Sequence, residues 1–203
     1  MESYERGSSK FHDFCKENLT ANLKHQKIDF SESLKNNENV FKSYNGFGVK
    51  VQDKVFKITA DELEYKAFAF AQEHQSEGIA KVSQNKKLNV EYFDIEYGKK
   101  QQLFLIERDY VEPLTLNKSK SSDKFFNVME DISVKFDKGQ PVNKEVDSLL
   151  EISKKESSLS AIVDSQIKAI ENGACFEDLH EKNLGMKDNK VVCFDPRIKF
   201  KTP

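Results

Sequence analysis

Three polar residues near the end of the sequence have the types and the spacing for chemistry on a charged substrate. Asp178 and Asn183 lie five positions apart, and Asp195 closes the apolar run Val191–Phe194. Transfer of a phosphoryl group needs a carboxylate that orients the attacking hydroxyl and a metal that neutralises the phosphates. Carboxylate and amide oxygens suit a hard cation such as Mg²⁺. The three residues therefore indicate chemistry on phosphate groups.

The first half of the sequence is predicted to contain short strands and one capped helix. Thr59 and Glu62 match a capping box, in which the Thr hydroxyl bonds an early helix amide and Glu reaches back to the cap. We expect this helix to run to about residue 74. Segments with strand patterns lie at 44–51, 55–58, 89–97 and 102–107.

Further helices are predicted at both ends of this region. A helix over residues 8–27 has an apolar face with four-residue spacing, made of Phe11, Cys15, Leu19 and Leu23. Two helical segments follow in the second half, at 125–134 and 159–170, and the second ends near Gly173. A β-rich half followed by a helical half predicts the class α+β.

The residues around Asp178 resemble a known catalytic loop. Asp178-Leu-His-Glu-Lys-Asn183 is similar to the loop of aminoglycoside phosphotransferases and of small kinases encoded by bacteriophages, within the protein-kinase-like superfamily. Asp195-Pro196 resembles the phage proteins, which often have Asp-Pro where eukaryotic kinases have Asp-Phe-Gly. The resemblance implies that Asp178 is the catalytic carboxylate and that Asn183 and Asp195 ligate Mg²⁺. It implies a structural or orienting role for His180.

The same resemblance extends upstream to a lysine and a glutamate. Lys57 stands where this family has the lysine that contacts the phosphates of ATP, on a predicted strand. Glu64 on the following helix is the partner that the resemblance implies for Lys57. The spacing between the two is close for this pair, so Glu62 and Glu73 stay open as alternative partners.

Two other segments match the family order around the nucleotide. Gly46 and Gly48 lie just before the strand of Lys57, where the loop that covers the phosphates belongs. Residues 103–114 resemble the strand and hinge whose backbone would bond adenine, which implies that Glu107 and Asp109 lie at the nucleotide. The resemblance spans about residues 41–200, and residues 1–40 have no counterpart in it.

The sequence also departs from the family pattern. Phe176 and Glu177 stand where the family has His-Arg or His-Gly before the catalytic aspartate, and the glycine loop has two glycines rather than three. Eight residues follow Asp195, so we expect neither a long activation segment nor the helices that follow it in large kinases. Recognition of a protein substrate is then expected from the amino-terminal helix or from a partner.

The resemblance implies a minimal two-lobed, protein-kinase-like fold. A small antiparallel sheet with one helix is expected to pack on a reduced helical lobe, with ATP and Mg²⁺ between them. We predict an amino-terminal helical arm at 1–40, the first lobe at 41–112, and a truncated helical lobe with the catalytic loop at 113–203.

The expected activity is transfer of the γ-phosphoryl group of ATP to Ser or Thr of host proteins, and to the chain itself. One alternative is a pseudokinase-like binding protein that inhibits or scaffolds a host partner without phosphoryl transfer. Another is a small-molecule kinase of the antibiotic-phosphotransferase type. The substrate or partner and the oligomeric state are not determined by the sequence.

Composition excludes several other classes of protein. A net charge of −2 gives no general attraction to nucleic acid or to an anionic membrane. The sequence has neither an apolar run of the roughly 18 residues that a membrane span needs nor the apolar core of a signal peptide. Its three cysteines form no Cys-x-x-Cys pair, which disfavours a disulfide framework and a structural zinc site. We expect a cytoplasmic protein, in the host cytoplasm if the source is viral.

Overall fold

The computed structural model describes residues 1–114 and 120–201, which form helices and strands in two compact units. One unit comprises Met1–Tyr65 and Val82–Tyr110, and the other comprises Lys66–Lys81 and Val111–Pro203. Residues 1–40, predicted as an arm, belong to the first unit. The predicted α+β class is confirmed, because each unit contains both helices and strands.

A six-stranded sheet organises the first unit, in the order β1-β5-β6-β4-β3-β2. Its strands are β1 (Ser3–Tyr4), β2 (Val40–Ser43), β3 (Gly46–Val51), β4 (Lys54–Thr59), β5 (Val82–Asp94) and β6 (Lys99–Asp109). Neighbouring strands are antiparallel except β1, which pairs with β5 in parallel. The expected antiparallel sheet therefore carries one parallel edge strand that the sequence pattern did not predict.

Helix α1 (Ser9–His25) covers one face of this sheet, and a short helix α2 (Ser31–Lys35) follows it. The predicted apolar stripe of α1 is confirmed as buried, and it packs against alternate residues of the central strands. The core formed in this way includes Phe11, Cys15, Leu19, Leu23, Phe47, Val49, Phe56, Ile58, Leu103 and Leu105. Because side chains alternate along a strand, Lys57 lies on the opposite face, between Phe56 and Ile58 in sequence.

Helix α3 (Glu62–Glu73) begins later than its capping motif predicted. Thr59 completes β4, where it pairs with Gly46 and Phe104, so it is too early to be the cap. Asp61 caps the helix instead, since its Oδ1 accepts hydrogen bonds from Leu63 N at 3.0 Å and from Glu64 N at 3.4 Å. The Thr59 hydroxyl accepts a hydrogen bond from Asp61 N at 3.1 Å and so supports the cap.

The second unit contains the rest of α3, three longer helices and short strands within the described part of the chain. The helices are α4 (Lys120–Asp137), α5 (Asn143–Lys155) and α6 (Ser160–Glu171). The strands are β7 (Glu112–Pro113), β8 (Ala174–Glu177), β9 (Leu184–Lys187), β10 (Lys190–Cys193) and β11 (Arg197–Phe200). They form a β10-β9-β7 sheet and a β11-β8 pair.

Helix α5 was not predicted from the sequence, although its buried residues Leu149 and Ile152 pack it between α4 and α6. The predicted end of α6 near Gly173 is confirmed, because Gly173 follows the helix with a φ of +70°. No helix within residues 1–114 and 120–201 is long and apolar enough to cross a membrane.

Two glycines of β3 allow a matched test of the close approach between β3 and β4. A Cβ at Gly46 would lie 2.0 Å from the Ile58 carbonyl oxygen, whereas the nearest atom to a Cβ at Gly48 is 3.3 Å away. Gly46→Ala must displace the strand backbone, so we expect it to lower the free energy of unfolding by about 2–3 kcal/mol. Gly48→Ala should change it by less than about 1 kcal/mol.

Urea denaturation followed by circular dichroism measures both changes, since the chain has no Trp for fluorescence. Equal losses in the two variants would contradict the close approach at Gly46.

Candidate active site

Lys57 and Glu64 form a buried ion pair in the first unit. Lys57 Nζ lies 2.8 Å from Glu64 Oε1. The two residues are only 8% and 3% exposed. The structure therefore brings together the lysine and the glutamate that the sequence resemblance paired, and their role in nucleotide binding stays a prediction.

The close spacing of Lys57 and Glu64 in the sequence follows from the corner between β4 and α3. Strand β4 ends at Thr59 and α3 begins at Glu62, so Glu64 lies in the first turn of the helix. The amino end of a helix carries a partial positive charge that favours a carboxylate there. Glu64 is thus placed by the helix start, which is why a partner only seven positions from Lys57 can reach it.

The face of the sheet around Lys57 has little side-chain cover on the β3 side. Gly48 is the direct cross-strand partner of Lys57, and Ile106 is its partner on β6. Cross-strand partners share a face, so only the backbone of Gly48 lies beside Lys57 on β3, and a Cβ at Gly48 would lie 3.6 Å from Lys57 Cβ. Gly46 and Gly48 lie within β3, as the predicted strand at 44–51 implies, and both are buried. Their contact with phosphates stays a prediction.

Glu107 and Asp109 both lie on β6, and their side chains are engaged by neighbours. Ser83 Oγ donates to Glu107 Oε1 at 2.6 Å, and Lys54 Nζ lies 2.6 Å from Asp109 Oδ1. The hydrogen bond to Asp109 raises the pKa of Lys54. The backbone is engaged as well, since Glu107 pairs with Phe56 of β4 and with Gln84 of β5, and Asp109 pairs with Lys54. The contact with adenine that the resemblance implied for this segment stays a prediction.

In the second unit, strand β8 ends immediately before Asp178 and is held from α6. Gln166 is fully buried, accepts a hydrogen bond from Phe176 N at 3.0 Å and donates to Phe176 O at 3.4 Å. Lys199 of β11 pairs with Glu177. Phe176 and Glu177, which depart from the family sequence, therefore anchor the strand that presents Asp178.

The loop after β8 is organised by its own polar groups. Asp178 has a φ of +60°, a left-handed conformation that Asp tolerates better than most residues. Asn183 Nδ2 donates to the Asp178 carbonyl at 3.0 Å, and Asn183 N donates to the His180 carbonyl at 2.9 Å. His180 Nε2 lies 3.0 Å from Asp178 Oδ1. His180 thus contacts the carboxylate of Asp178, and its orienting role stays a prediction.

The hairpin of β9 and β10 brings the backbones of the two predicted metal ligands close together. Leu184 pairs with Cys193 in this hairpin, and just beyond that pair Phe194 N donates to the Asn183 carbonyl at 2.9 Å. Asp195 follows Phe194 and is half-buried. Because Asn183 uses Nδ2 to hold the loop, its Oδ1 is the amide atom that could ligate a cation.

The oxygen donors of this loop fit Mg²⁺ better than a softer metal. Mg²⁺ is usually held by one or two protein oxygens together with water and substrate phosphates. Asn183 and Asp195 could supply such a pair. No group of three or more His, Cys, Asp or Glu that could hold a metal occurs among the residues the structure describes. A metal bound here would therefore need additional ligands from phosphate or water.

Sequence reasoning missed the two residues that anchor β8, Gln166 and Lys199. Gln166 follows Ile162 by four positions on the buried stripe of α6, so a polar residue on an apolar helix face was the available signal. No sequence pattern indicated the role of Lys199, because its partners Asp137 and Glu177 are distant in sequence.

Comparison with known proteins found only distant structural similarity. No protein-family model and no curated protein matches the sequence. An amicoumacin kinase in complex with AMP-PNP, Ca²⁺ and Ami aligns with a TM-score of 0.36 at 10% identity, covering 87% of this chain and 67% of that one. An effector kinase of Legionella pneumophila aligns with a TM-score of 0.35 at 11% identity, covering 88% of this chain and 36% of that one.

Choline kinase of Streptococcus pneumoniae aligns with a TM-score of 0.31 at 14% identity, covering 78% of this chain and 62% of that one. This chain therefore spans about a third of the Legionella effector and less than two thirds of the choline kinase. The functional conclusion rests on the residues of the chain itself.

The buried ion pair gives a prediction about stability that does not depend on function. Lys57→Met leaves the Glu64 carboxylate in a site that is 3% exposed, so we expect a loss of about 3–5 kcal/mol in the free energy of unfolding. The double variant Lys57→Met/Glu64→Leu should recover most of that loss, because the buried Glu64 carboxylate is then removed as well.

The matched control is Lys35→Ala, which removes an ion pair of 2.7 Å whose side chains are 72% and 85% exposed. Exposed pairs contribute little, so Lys35→Ala should be close to neutral. Urea denaturation compares all three variants, and a double variant less stable than Lys57→Met would contradict the argument.

Proposed function

We propose that this chain is an ATP- and Mg²⁺-dependent phosphotransferase. The observation that carries the proposal is the buried pair of Lys57 and Glu64, 2.8 Å apart on the side of the sheet opposite α1. A buried ion pair is weak support for stability, because removing two charges from water costs as much as their attraction returns. A cation held in place by a buried carboxylate partner is instead a means of positioning a group that binds a substrate. Lys57, held in one orientation by Glu64, is suited to contact an anionic phosphate.

Asp178 would position the hydroxyl that receives the phosphoryl group. In the reaction, the hydroxyl oxygen bonds to the γ-phosphorus while the bond from that phosphorus to the β–γ bridging oxygen breaks, and its electron pair leaves with ADP. The carboxylate of Asp178 would accept the hydroxyl proton. Its side chain is 40% exposed, so a substrate hydroxyl can reach it.

Asn183 and Asp195 would hold the metal through oxygen atoms. A bound Mg²⁺ would neutralise phosphate charge and orient the transferred group. The hydrogen bond between Phe194 N and the Asn183 carbonyl holds the backbone next to Asp195 against the backbone of Asn183. The hard oxygen donors of the pair support Mg²⁺ as the metal.

For the substrate, we propose Ser or Thr hydroxyls of a host protein and of the chain itself, in the host cytoplasm. The support is the similarity of Asp178–Asn183 and Asp195-Pro196 to small phage kinases. A small-molecule hydroxyl, as in the antibiotic phosphotransferases, is compatible with the same loop. A transfer assay with host protein in one reaction and small hydroxyl compounds in another distinguishes these two substrate classes.

A binding protein without phosphoryl transfer is the second candidate, and one observation favours it. Phe176 and Glu177 replace the residues that precede the catalytic aspartate in active members of the family, and Glu177 is paired with Lys199. In this case the chain would inhibit or scaffold a partner, and Asp178 would be dispensable.

Binding and transfer are measured separately to test the proposal. If ATP is present with Mg²⁺ at about 100 times its Kd, it should raise Tm by about 5–10 °C. Asp178→Asn should keep this shift and slow transfer from radiolabelled ATP by about 100-fold or more, because only the carboxylate that orients the hydroxyl is lost. Asp195→Asn should reduce both the shift and the transfer.

Asp188→Asn is the matched control for these substitutions. Asp188 is also an exposed aspartate with a positive φ, of 50°, but it lies in the turn between β9 and β10. It should leave binding and transfer at the wild-type level. Transfer by Asp178→Asn at the wild-type rate would contradict the catalytic role. Binding of ATP with no transfer to the chain, to host lysate or to small hydroxyl compounds would favour the binding protein.

A further inference from the structure

A line of polar contacts joins the segment Glu2–Ser8 to the start of α3. It runs from Arg6 through Asn45 to Asp61, the residue that caps the helix bearing Glu64. All of these residues belong to the first unit. The three side chains lie far apart in the sequence, so the line exists only in the folded unit.

Arg6 is the anchor of this line. Its Nε lies 2.6 Å from Asp94 Oδ2 and 3.2 Å from the Tyr92 hydroxyl. The side chain of Arg6 is 10% exposed and that of Asp94 is fully buried. A charge-assisted hydrogen bond of this length in a buried setting holds the guanidinium group in one position.

Backbone hydrogen bonds and a ring contact also hold the segment that carries Arg6 on the sheet. Phe93 N donates to the Glu2 carbonyl at 2.9 Å and Ile95 N donates to the Tyr4 carbonyl at 3.0 Å. The ring of Tyr4 stacks on that of Phe14 at 4.5 Å. The two-residue edge strand, the Tyr4 ring and the buried pair of Arg6 and Asp94 together hold the segment on the sheet, and they fix the position of Arg6.

Asn45 connects Arg6 to Asp61 through the two ends of its side-chain amide. Arg6 Nη1 donates to Asn45 Oδ1 at 3.0 Å, and Asn45 Nδ2 donates to Asp61 Oδ2 at 3.1 Å. The reverse orientation of the amide would set two donors against each other at Arg6 and two acceptors against each other at Asp61. The network therefore determines the orientation of Asn45, and the amide joins a cation on one side to a carboxylate on the other.

Asp61 uses its two oxygens for different partners. Oδ2 accepts from Asn45, while Oδ1 accepts from the amides of Leu63 and Glu64. Ala60 N also donates to the Asn45 carbonyl at 2.8 Å, so the backbone of Asn45 holds the same corner. The orientation of the Asp61 carboxylate thus depends on Asn45, and the first turn of α3 depends on Asp61.

We propose that Arg6 and Asn45 are positioning residues, which set Glu64 against Lys57 through the cap of α3. Docking of Glu2–Ser8 then favours the ion pair that holds the phosphate-binding lysine, and release of the segment weakens it. The effect on ATP rests on the proposed function, but the coupling of Arg6 to the helix start does not. Any event that displaces the segment would lower the affinity for nucleotide.

Two conservative variants break the line at different points. Arg6→Lys keeps the charge beside Asp94, but one ammonium group cannot also reach Asn45 as the guanidinium does. Asn45→Asp keeps an acceptor for Arg6 and replaces the donor to Asp61 with an oxygen. The matched control is Gln26→Glu, which makes the same chemical change at a side-chain hydrogen bond of 3.1 Å to Gln84, away from α3.

Amide hydrogen exchange of Leu63 and Glu64, measured by NMR on the full chain, reports the helix cap without any nucleotide. We expect exchange about 5-fold faster in Arg6→Lys and Asn45→Asp, the size of one lost hydrogen bond. Gln26→Glu should exchange at the wild-type rate at both positions. The Kd for ATP with Mg²⁺ should rise by about the same factor in the first two variants and not in the control.

Wild-type exchange rates at Leu63 and Glu64 in both variants would overturn the coupling, whatever the result with ATP. Faster exchange with an unchanged Kd for ATP would overturn the positioning role. If the wild-type chain shows no binding of ATP, the proposed function fails, and faster exchange in the variants would still support the coupling.

Discussion

The buried pair of Lys57 and Glu64 is the interaction on which the rest of the first unit depends. Two charges that are almost removed from water are stabilised by lying 2.8 Å apart, and separating them would lose this attraction while both stay buried. This requirement constrains the corner between β4 and α3. The corner must be short, the helix must be capped at Asp61, and strand β3 must approach β4 closely enough to need glycine at position 46. Helix α1 seals the other face of the sheet and keeps the strands in place.

In the second unit, the exposed carboxylate of Asp178 is held in one orientation. Asp178 contacts the exposed side chain of His180, and its backbone is constrained as well. Gln166 fixes the preceding strand from α6, and Asn183 ties the loop back onto the Asp178 carbonyl. The β9–β10 hairpin then joins Asn183 to the residue before Asp195. The lysine proposed to bind phosphate is held by a buried ion pair, whereas the proposed catalytic carboxylate is held by hydrogen bonds within its loop.

Several parts of the fold were predictable because they depend on local pattern. The apolar stripe of α1, the strand of Lys57 and the end of α6 near Gly173 follow from periodicity and from glycine, and the structure contains all three. The cap of α3 was misplaced, because Thr59 satisfies the capping pattern but is recruited into β4 by pairing with distant strands. Helix α5 was missed because few of its residues are apolar and its stability comes from packing between α4 and α6.

The sequence by itself determined the residue types for phosphoryl transfer, the spacing of Asp178, Asn183 and Asp195, and the alternating pattern that puts Lys57 on the sheet. These are properties of neighbours along the chain. Only the tertiary structure decided that Glu64 is a partner of Lys57, that Gly48 lies opposite it, and that Arg6 reaches the helix cap through Asn45. Strand register and burial determine these contacts between different strands and helices, and no local pattern encodes them.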